Sequence, residues 1–206
     1  MNSARGRAAI FRLAAVVLFL GGCGAARPSK YYQLTIPGDA PAGQEVDPKP
    51  MTLLVGTLLA SDLYREDRIV YSTAGQEMGT YEYQRWAEPP TEMIQEVLLR
   101  ELRSSGHYRA VFAHRSDANG DFLLRGRLYD FKEVSGNAMA ARLTVDFEMR
   151  DLKSGSTVWT HYYHRDEPVN GKDVPAVVAA LNKNVQRSVK EVLESLDQYF
   201  ASHPLK

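Results

Sequence analysis

The sequence predicts an α+β fold: an antiparallel-rich β-sheet with two amphipathic helices packed on one face, in a single two-layer domain. The first observation behind this is strand alternation. Leu143, Val145, Phe147 and Met149 share one parity, while Thr144, Asp146, Glu148 and Arg150 take the other, as an antiparallel strand with one face on a core and one in water requires. The second is a pair of helical stripes set apart among β-rich segments, and such stripes bury themselves against a sheet. The third is length. After a leader-like segment of 22 residues is set aside, 184 residues remain, enough for one domain with a real core and too few to favour two.

The chain opens on that leader. Arg5, Arg7 and Arg12 form a positive region without an acidic residue, and Leu13 to Leu20 is an unbroken apolar run of eight. A bilayer span needs about 20 apolar residues, so the run fits the apolar core of a signal peptide instead. Leu20-Gly21-Gly22-Cys23 comes next and contains the only cysteine of the chain. This is the lipobox pattern of bacterial lipoproteins, with cleavage between Gly22 and Cys23 and diacylglycerol on the Cys23 sulfur. The competing reading is an ordinary secreted protein with Cys23 free. The expected organisation is a cleaved signal peptide at 1–22, a lipidated tether at 23–30 and one domain at 31–206. One acyl chain holds a membrane only marginally, at about 0.8 kcal/mol per buried methylene, whereas two or more give stable anchoring. With Cys23 consumed by lipid, the mature chain has no thiol for a disulfide, a nucleophile or a metal. Gly24 is not the aspartate that retains enterobacterial lipoproteins in the inner membrane, so outer-membrane sorting is the expectation.

Charge narrows the partners. The chain carries 25 basic and 25 acidic residues, and loss of the three leader arginines leaves 22 against 25, a net of −3. Nucleic-acid binders show a basic excess or stripe, so no nucleic-acid partner is expected.

Strand and helix signals divide the rest of the chain. "YYQLTI" (31–36) and "MTLLVGTLL" (51–59) read as strands, separated by the proline-rich loop 37–50, which has little to bury. "RIVYST" (68–73) and "EMGTYEYQRW" (77–86) alternate, and Gly75 suits the hairpin turn between them. A helix is expected from Pro89 and Pro90, with Ile94, Val97, Leu98 and Leu102 on one face and Gly106 as its stop. "YRAVF" (108–112), "DFLLRGRLYDFKEV" (121–134), "AARLTVDFEMRDL" (140–152) and "STVWTHYYHRDE" (156–167) are strands, the last two joined by a corner at Lys153-Ser154-Gly155. The final helix takes Asp173 as N-cap and Pro175 in its first turn. Its stripe runs through Val174, Val177, Val178, Leu181, Val185, Val189, Val192, Leu193, Leu196 and Phe200.

Catalytic patterns are missing from this sequence. "HYYHRDE" gathers His161, His164, Asp166 and Glu167, but residues three apart on a strand face opposite ways, which argues against a shared metal. His107, His114 and His203 fall in loops or near the end of the chain. Neither a G-x-S-x-G elbow, a phosphate loop nor a dinucleotide fingerprint occurs. No cofactor and no enzymatic activity are therefore expected. Arg125 and Arg127 share one side of their strand, open to solvent or to anionic headgroups. "YEYQRWAEPP" sets Tyr81, Tyr83 and Trp86 around Arg85. Aromatics with arginine make interface anchors, and they also make the corner between a strand and a helix.

In their order, the lipobox, "YYQL", "LYREDRIVY", "RWAEPP" opening a helix, and the hairpin "FEMRDLKSGSTVW" before a long last helix resemble the ABC-type transport auxiliary lipoprotein family. Its best-known members are lipoproteins of the paraquat-inducible intermembrane transport system and relatives beside MCE-domain (mammalian-cell-entry) transporters. Pro90 departs from the aliphatic residue more usual after "RWAEP". The resemblance implies a non-catalytic lipoprotein of the Gram-negative outer membrane, its domain facing the periplasm. Its implied partners are an MCE-domain protein, ABC transporter components and further copies of itself, in moving phospholipid or other hydrophobic molecules between membranes. Candidate interface residues are Tyr64, Tyr83, Arg85 and Trp86. Two other classes remain open: a lipoprotein that plugs or assembles an outer-membrane β-barrel, as in lipopolysaccharide export, and a periplasmic hydrolase.

Overall fold

Three long consecutive strands form the backbone of the sheet. In the computed structural model, which describes residues 27–36, 48–73, 77–136 and 138–204, these are β7 (Phe122–Val134), β8 (Ala140–Asp151) and β9 (Thr157–Pro168). They run antiparallel, β7 to β8 and β8 to β9, over almost their full lengths. The expected inward set of β8 is buried without exception: Leu143, Val145, Phe147 and Met149. Lys153, Ser154 and Gly155 turn the chain, with Gly155 at φ 74° and the Asp151 carboxylate accepting from the Lys153 and Ser154 amides at 2.7 and 3.0 Å. Those two N–H groups hold the Asp151 carboxyl below its ordinary range.

The sheet is mixed, with a larger parallel share than alternation alone implies. The other edge of β7 takes three partners in succession, all parallel: β2 (Lys49–Val55) at Phe122–Leu124, β3 (Leu59–Ala60) at Arg127–Leu128, and β4 (Arg68–Ser72) at Lys132–Val134. β6 (Tyr108–Ala113) lies parallel outside β2. β5 (Met78–Trp86) pairs antiparallel with β4 as the expected hairpin; Gly75 itself lies outside the described residues. β1 (Lys30–Tyr32) pairs parallel with β5, so only the start of the expected 31–36 strand is ladder. The expected 51–59 strand is interrupted after Val55, where the Gly56 amide still donates to the Leu124 carbonyl at 2.8 Å.

Gly126 permits this arrangement. A Cβ there would sit 2.1 Å from the Asp146 carbonyl oxygen, so β7 and β8 approach more closely than any side chain at 126 would allow. Just beyond it the register shifts between Leu128 and Asp130, a bulge that bends the strand.

Two helices cover one face and share a single core cluster with the sheet. Helix α1 (Pro90–Ser104) starts at Pro90, where a missing N–H costs nothing, and stops before Gly106 at φ 68°. Helix α2 (Val174–Ser202) is capped by Asp173, whose side chain accepts from the Ala176 amide at 3.1 Å. At about 1.5 Å per residue its 29 residues reach ~43 Å, the length of the strands beneath. The apolar stripe is buried as expected, with Val178 and Leu193 at its margins.

Inside that stripe lies a polar residue, Asn184, fully buried. Its Oδ1 accepts from the Tyr163 hydroxyl at 2.6 Å, and its Nδ2 donates to the Ala141 and Arg165 carbonyls at 3.0 Å each. One amide thus ties α2 to both β8 and β9 at a fixed register. Beside it Glu167, also buried, accepts from Lys183 and Arg187 of α2.

Replacing Asn184 with alanine is expected to lower the unfolding free energy by about 2–4 kcal/mol, since each buried polar group stripped of its partner costs about 1–3 kcal/mol. Urea unfolding of the variant and the parent checks this.

Candidate functional site

The motif residues come together at one corner of the sheet, where β1 meets β5. Tyr32 stands opposite Trp86 and Tyr31 opposite Arg85 in the parallel ladder, and Arg68 of β4 stands opposite Arg85 on the other side. The Trp86 amide donates to the Asp67 carbonyl and the Ala87 amide to the Tyr32 carbonyl, both at 2.7 Å. The Arg85 guanidinium donates to the Asp67 carboxylate at 2.7 Å, and the Tyr32 hydroxyl to the Gln84 side chain at 3.2 Å. Arg68 finds Glu66 at 3.2 Å. Two arginines facing each other would repel; each has its own carboxylate. "YYQL", "LYREDRIVY" and "RWAEPP" therefore build one clasp, which fastens the N-terminal strand to the domain.

Of the four candidate interface residues, two are core. Trp86 is 0% exposed and packs on Phe131 with ring centroids 5.3 Å apart. Tyr64 is 2% exposed, its phenol pushed up to about 12 by burial and by the nearby Asp130 carboxylate. Neither presents surface to a partner: the Trp86 ring at the end of β5 fills space against Phe131 of β7, and Tyr64 is buried in the core before β4. Tyr83 and Arg85 keep accessible surface. Arg27 lies over the Tyr83 ring at 5.7 Å, within reach of a cation–π contact. Hydrogen bonding to Glu82 holds the Tyr83 phenol above its usual range. Gly22 and Cys23 lie outside the described residues.

The outer face of β7, β8 and β9 is polar and largely neutralised within itself. Arg125 pairs with Glu148 at 2.5 Å, so Arg125 and Arg127 do not form the free cation pair their spacing suggests. Asp146 stands opposite Arg127 and accepts from the Tyr129 hydroxyl at 2.8 Å. Arg142 grips Asp166 through two contacts of 2.7 Å, holding that carboxyl below its ordinary range. Above these pairs, Leu59 and Tyr162 border an open groove of about 440 Å³.

The histidines separate as strand geometry demands. His161 stacks on Trp159 at 5.8 Å on the helix side, while His164 Nδ1 meets the Thr144 hydroxyl at 2.8 Å on the outer face. His107 contacts Asp197 of α2 at 2.8 Å and His203 stacks on Tyr199 at 4.4 Å. Among the described residues, no group of three or more His, Cys, Asp or Glu side chains is placed to hold a metal ion, and no helix is long and apolar enough to cross a membrane. Sequence reasoning did not single out Asp67 or Asn184. Asp67 was visible only as one more charge in "REDR", and Asn184 as a polar residue within an otherwise apolar stripe.

Comparisons with known proteins agree with the fold. A family model described as "ABC-type transport auxiliary lipoprotein component" matches residues 32–192. A crystal structure of a Xanthomonas campestris protein superposes with a TM-score of 0.69 at 20% identity, covering 80% of this chain and 92% of that one. A second, of an uncharacterized protein, gives 0.67 at 15%, covering 82% and 99%. A Chlamydia trachomatis hypothetical protein gives 0.50 at 10%, covering 75% and 99%. At these identities the structural likeness is one of fold. No curated protein matches the sequence.

Trp86→Ala is expected to cost about 3–5 kcal/mol, the range for removing a buried large aromatic. Arg85→Glu, which sets a second carboxylate beside Asp67, should leave the core folded but loosen this corner; faster hydrogen exchange confined to the residues around Asp67, Arg85 and the facing Tyr31 is the readout. The Arg142 and Asp166 pair predicts a pH dependence. A lowered carboxyl pKa stabilises the fold above the ordinary aspartate value of 3.8 and loses that contribution as pH falls through its folded value. The stability gap between parent and Arg142→Leu should therefore be present at neutral pH and close below 3.8, as urea titrations at a series of pH values would record.

Proposed function

This chain belongs to the ABC-type transport auxiliary lipoprotein components, and from that premise we propose a specific role. It is a non-catalytic accessory lipoprotein, held in the outer membrane by lipid on Cys23, with its domain in the periplasm. There it docks an MCE-domain protein of an ABC-type system that moves phospholipid or other hydrophobic molecules between the two membranes. The observation that carries this reading is the clasp. The three most distinctive segments of the sequence converge on fastening the N-terminal strand, the element that a lipid on Cys23 would pull on, and bring no reacting groups together. A chain organised around its own attachment is suited to holding something in place at a membrane.

The outer face supports the same reading. Arg125 and Arg142 are paired in place with Glu148 and Asp166, and its exposed tyrosines, Tyr129 and Tyr162, offer contact area with polar tips. Such a surface suits reversible docking better than retention of a free anion.

Affinity capture of the full-length protein from detergent extracts is expected to recover an MCE-domain protein. Recovery of none, while a known lipoprotein partner is recovered from the same extract, would sink the proposal. Recovery of a large β-barrel instead would move the protein to the barrel-assembly class.

A further inference from the structure

We infer that the strip formed by Arg27, Lys30, Tyr31 and Tyr83 is the surface with which this domain rests on the headgroups of the phospholipid bilayer that holds its anchor. The inference rests on lipid attachment at Cys23 and deepens the role proposed above. Because β1 runs parallel to β5, going back from Lys30 to Arg27 leads along β5 towards its start at Met78. That is the end of the sheet where β7 finishes, β8 begins and α2 starts. The Lys153 hairpin lies at the other end of the twelve-residue β8.

Length supplies the next step. Arg27 is already seated on Tyr83, and four residue steps from Cys23 to Arg27 span at most ~14 Å at about 3.3–3.6 Å per residue. Of the tether expected from sequence, Arg27 lies against Tyr83 and Lys30 is already in β1. The Cys23 sulfur with its acyl chains must sit at the boundary between hydrocarbon and headgroups, so Arg27 cannot leave the neighbourhood of the membrane surface. Screening at physiological ionic strength acts over about 8 Å, so Arg27 interacts with a charged layer wherever it stands closer to the membrane than the full ~14 Å would allow.

The chemistry of the strip matches that position. Arg27 and Lys30 are exposed, and residues 27–36 contain no acidic side chain. Tyr31 is 63% exposed, where an amphipathic ring suits the level of the headgroups. Together with Tyr83 and Gln84, Arg27 and Lys30 border a groove of about 330 Å³. Glu82 borders it too, and its hydrogen bond to Tyr83 partly occupies the one acidic group. Basic residues beside a lipid anchor add to membrane attachment through anionic lipid.

The test uses the full-length lipidated protein in vesicles of phosphatidylethanolamine with phosphatidylglycerol. Cys23 carries the lipid, so Ser29→Cys or Lys153→Cys supplies a single site for a fluorophore, read by quenching from lipids spin-labelled at the headgroup. Quenching at position 29 several-fold stronger than at 153 is expected, and equal quenching at the two overturns the proposal. Adding Arg27→Glu with Lys30→Glu should reduce quenching at 29 several-fold while the protein still floats with the vesicles; unchanged quenching overturns headgroup contact. Quenching at 29 that disappears when an MCE-domain protein binds would make the strip a protein-docking surface and also overturn it. No transport partner is needed in the vesicle measurement, so failure of the affinity capture leaves its result standing. A protein that does not float removes anchor and strip together, leaving the family unchanged.

Discussion

The fold depends on one shared strand edge. β7 gives its whole length on one side to β8 and divides the other among β2, β3 and β4. The first of these partners joins the half of the sheet that lies near α1 and β6. The last carries β5 and β1, and with them the clasp. A single flat strand cannot serve partners that diverge in this way, and β7 is not flat: Gly126 lets β8 close in, and the bulge after Leu128 redirects the remainder of the strand. The two parts of the sheet are thereby splayed while sharing a core, and α2 spans the result from Asp173 to Ser202. Asn184 and Glu167 then fix where the helix sits, which apolar packing alone would leave free to slide.

Much of this was legible because it is local. The β7, β8 and β9 meander follows from alternation and short turns, and both helices from period, proline and glycine. The parallel pairings were not, since period-two patterning says which face a residue takes and nothing about which strand lies beside it. A clue existed in "MTLLVGTLL", whose continuous apolar run suits a strand buried on both faces, and β2 is buried on both. The site divides along the same line. The convergence of "YYQL", "LYREDRIVY" and "RWAEPP" is long-range, so the sequence showed their order and hid their purpose. Trp86 and Tyr64 looked like anchors for a partner because an aromatic beside arginine has the same composition in a core corner as in an interface. Only burial separates the two.

Charge tells a similar story. Arg125 and Arg127 read along the chain as cations available to an anion, yet Arg125 faces a carboxylate on the neighbouring strand, as Arg142 does. Cross-strand partners neutralise what a linear reading counts as free. Exposed basic groups remain elsewhere, Arg27 and Lys30 ahead of and within β1 among them.

The parallel setting of β1 has a mechanical meaning as well. Tension applied to the chain ahead of Arg27, resisted by the far end of the domain, is directed along β1 and β5. Bonds lying across the line of pull must then slide and fail together, and they do not open one after another like a zip. The three paired positions of β1 and the Ala87 and Tyr32 link beside them share the load at once. A short edge strand that would be a weak point if peeled becomes, in this orientation, a joint that resists being drawn out.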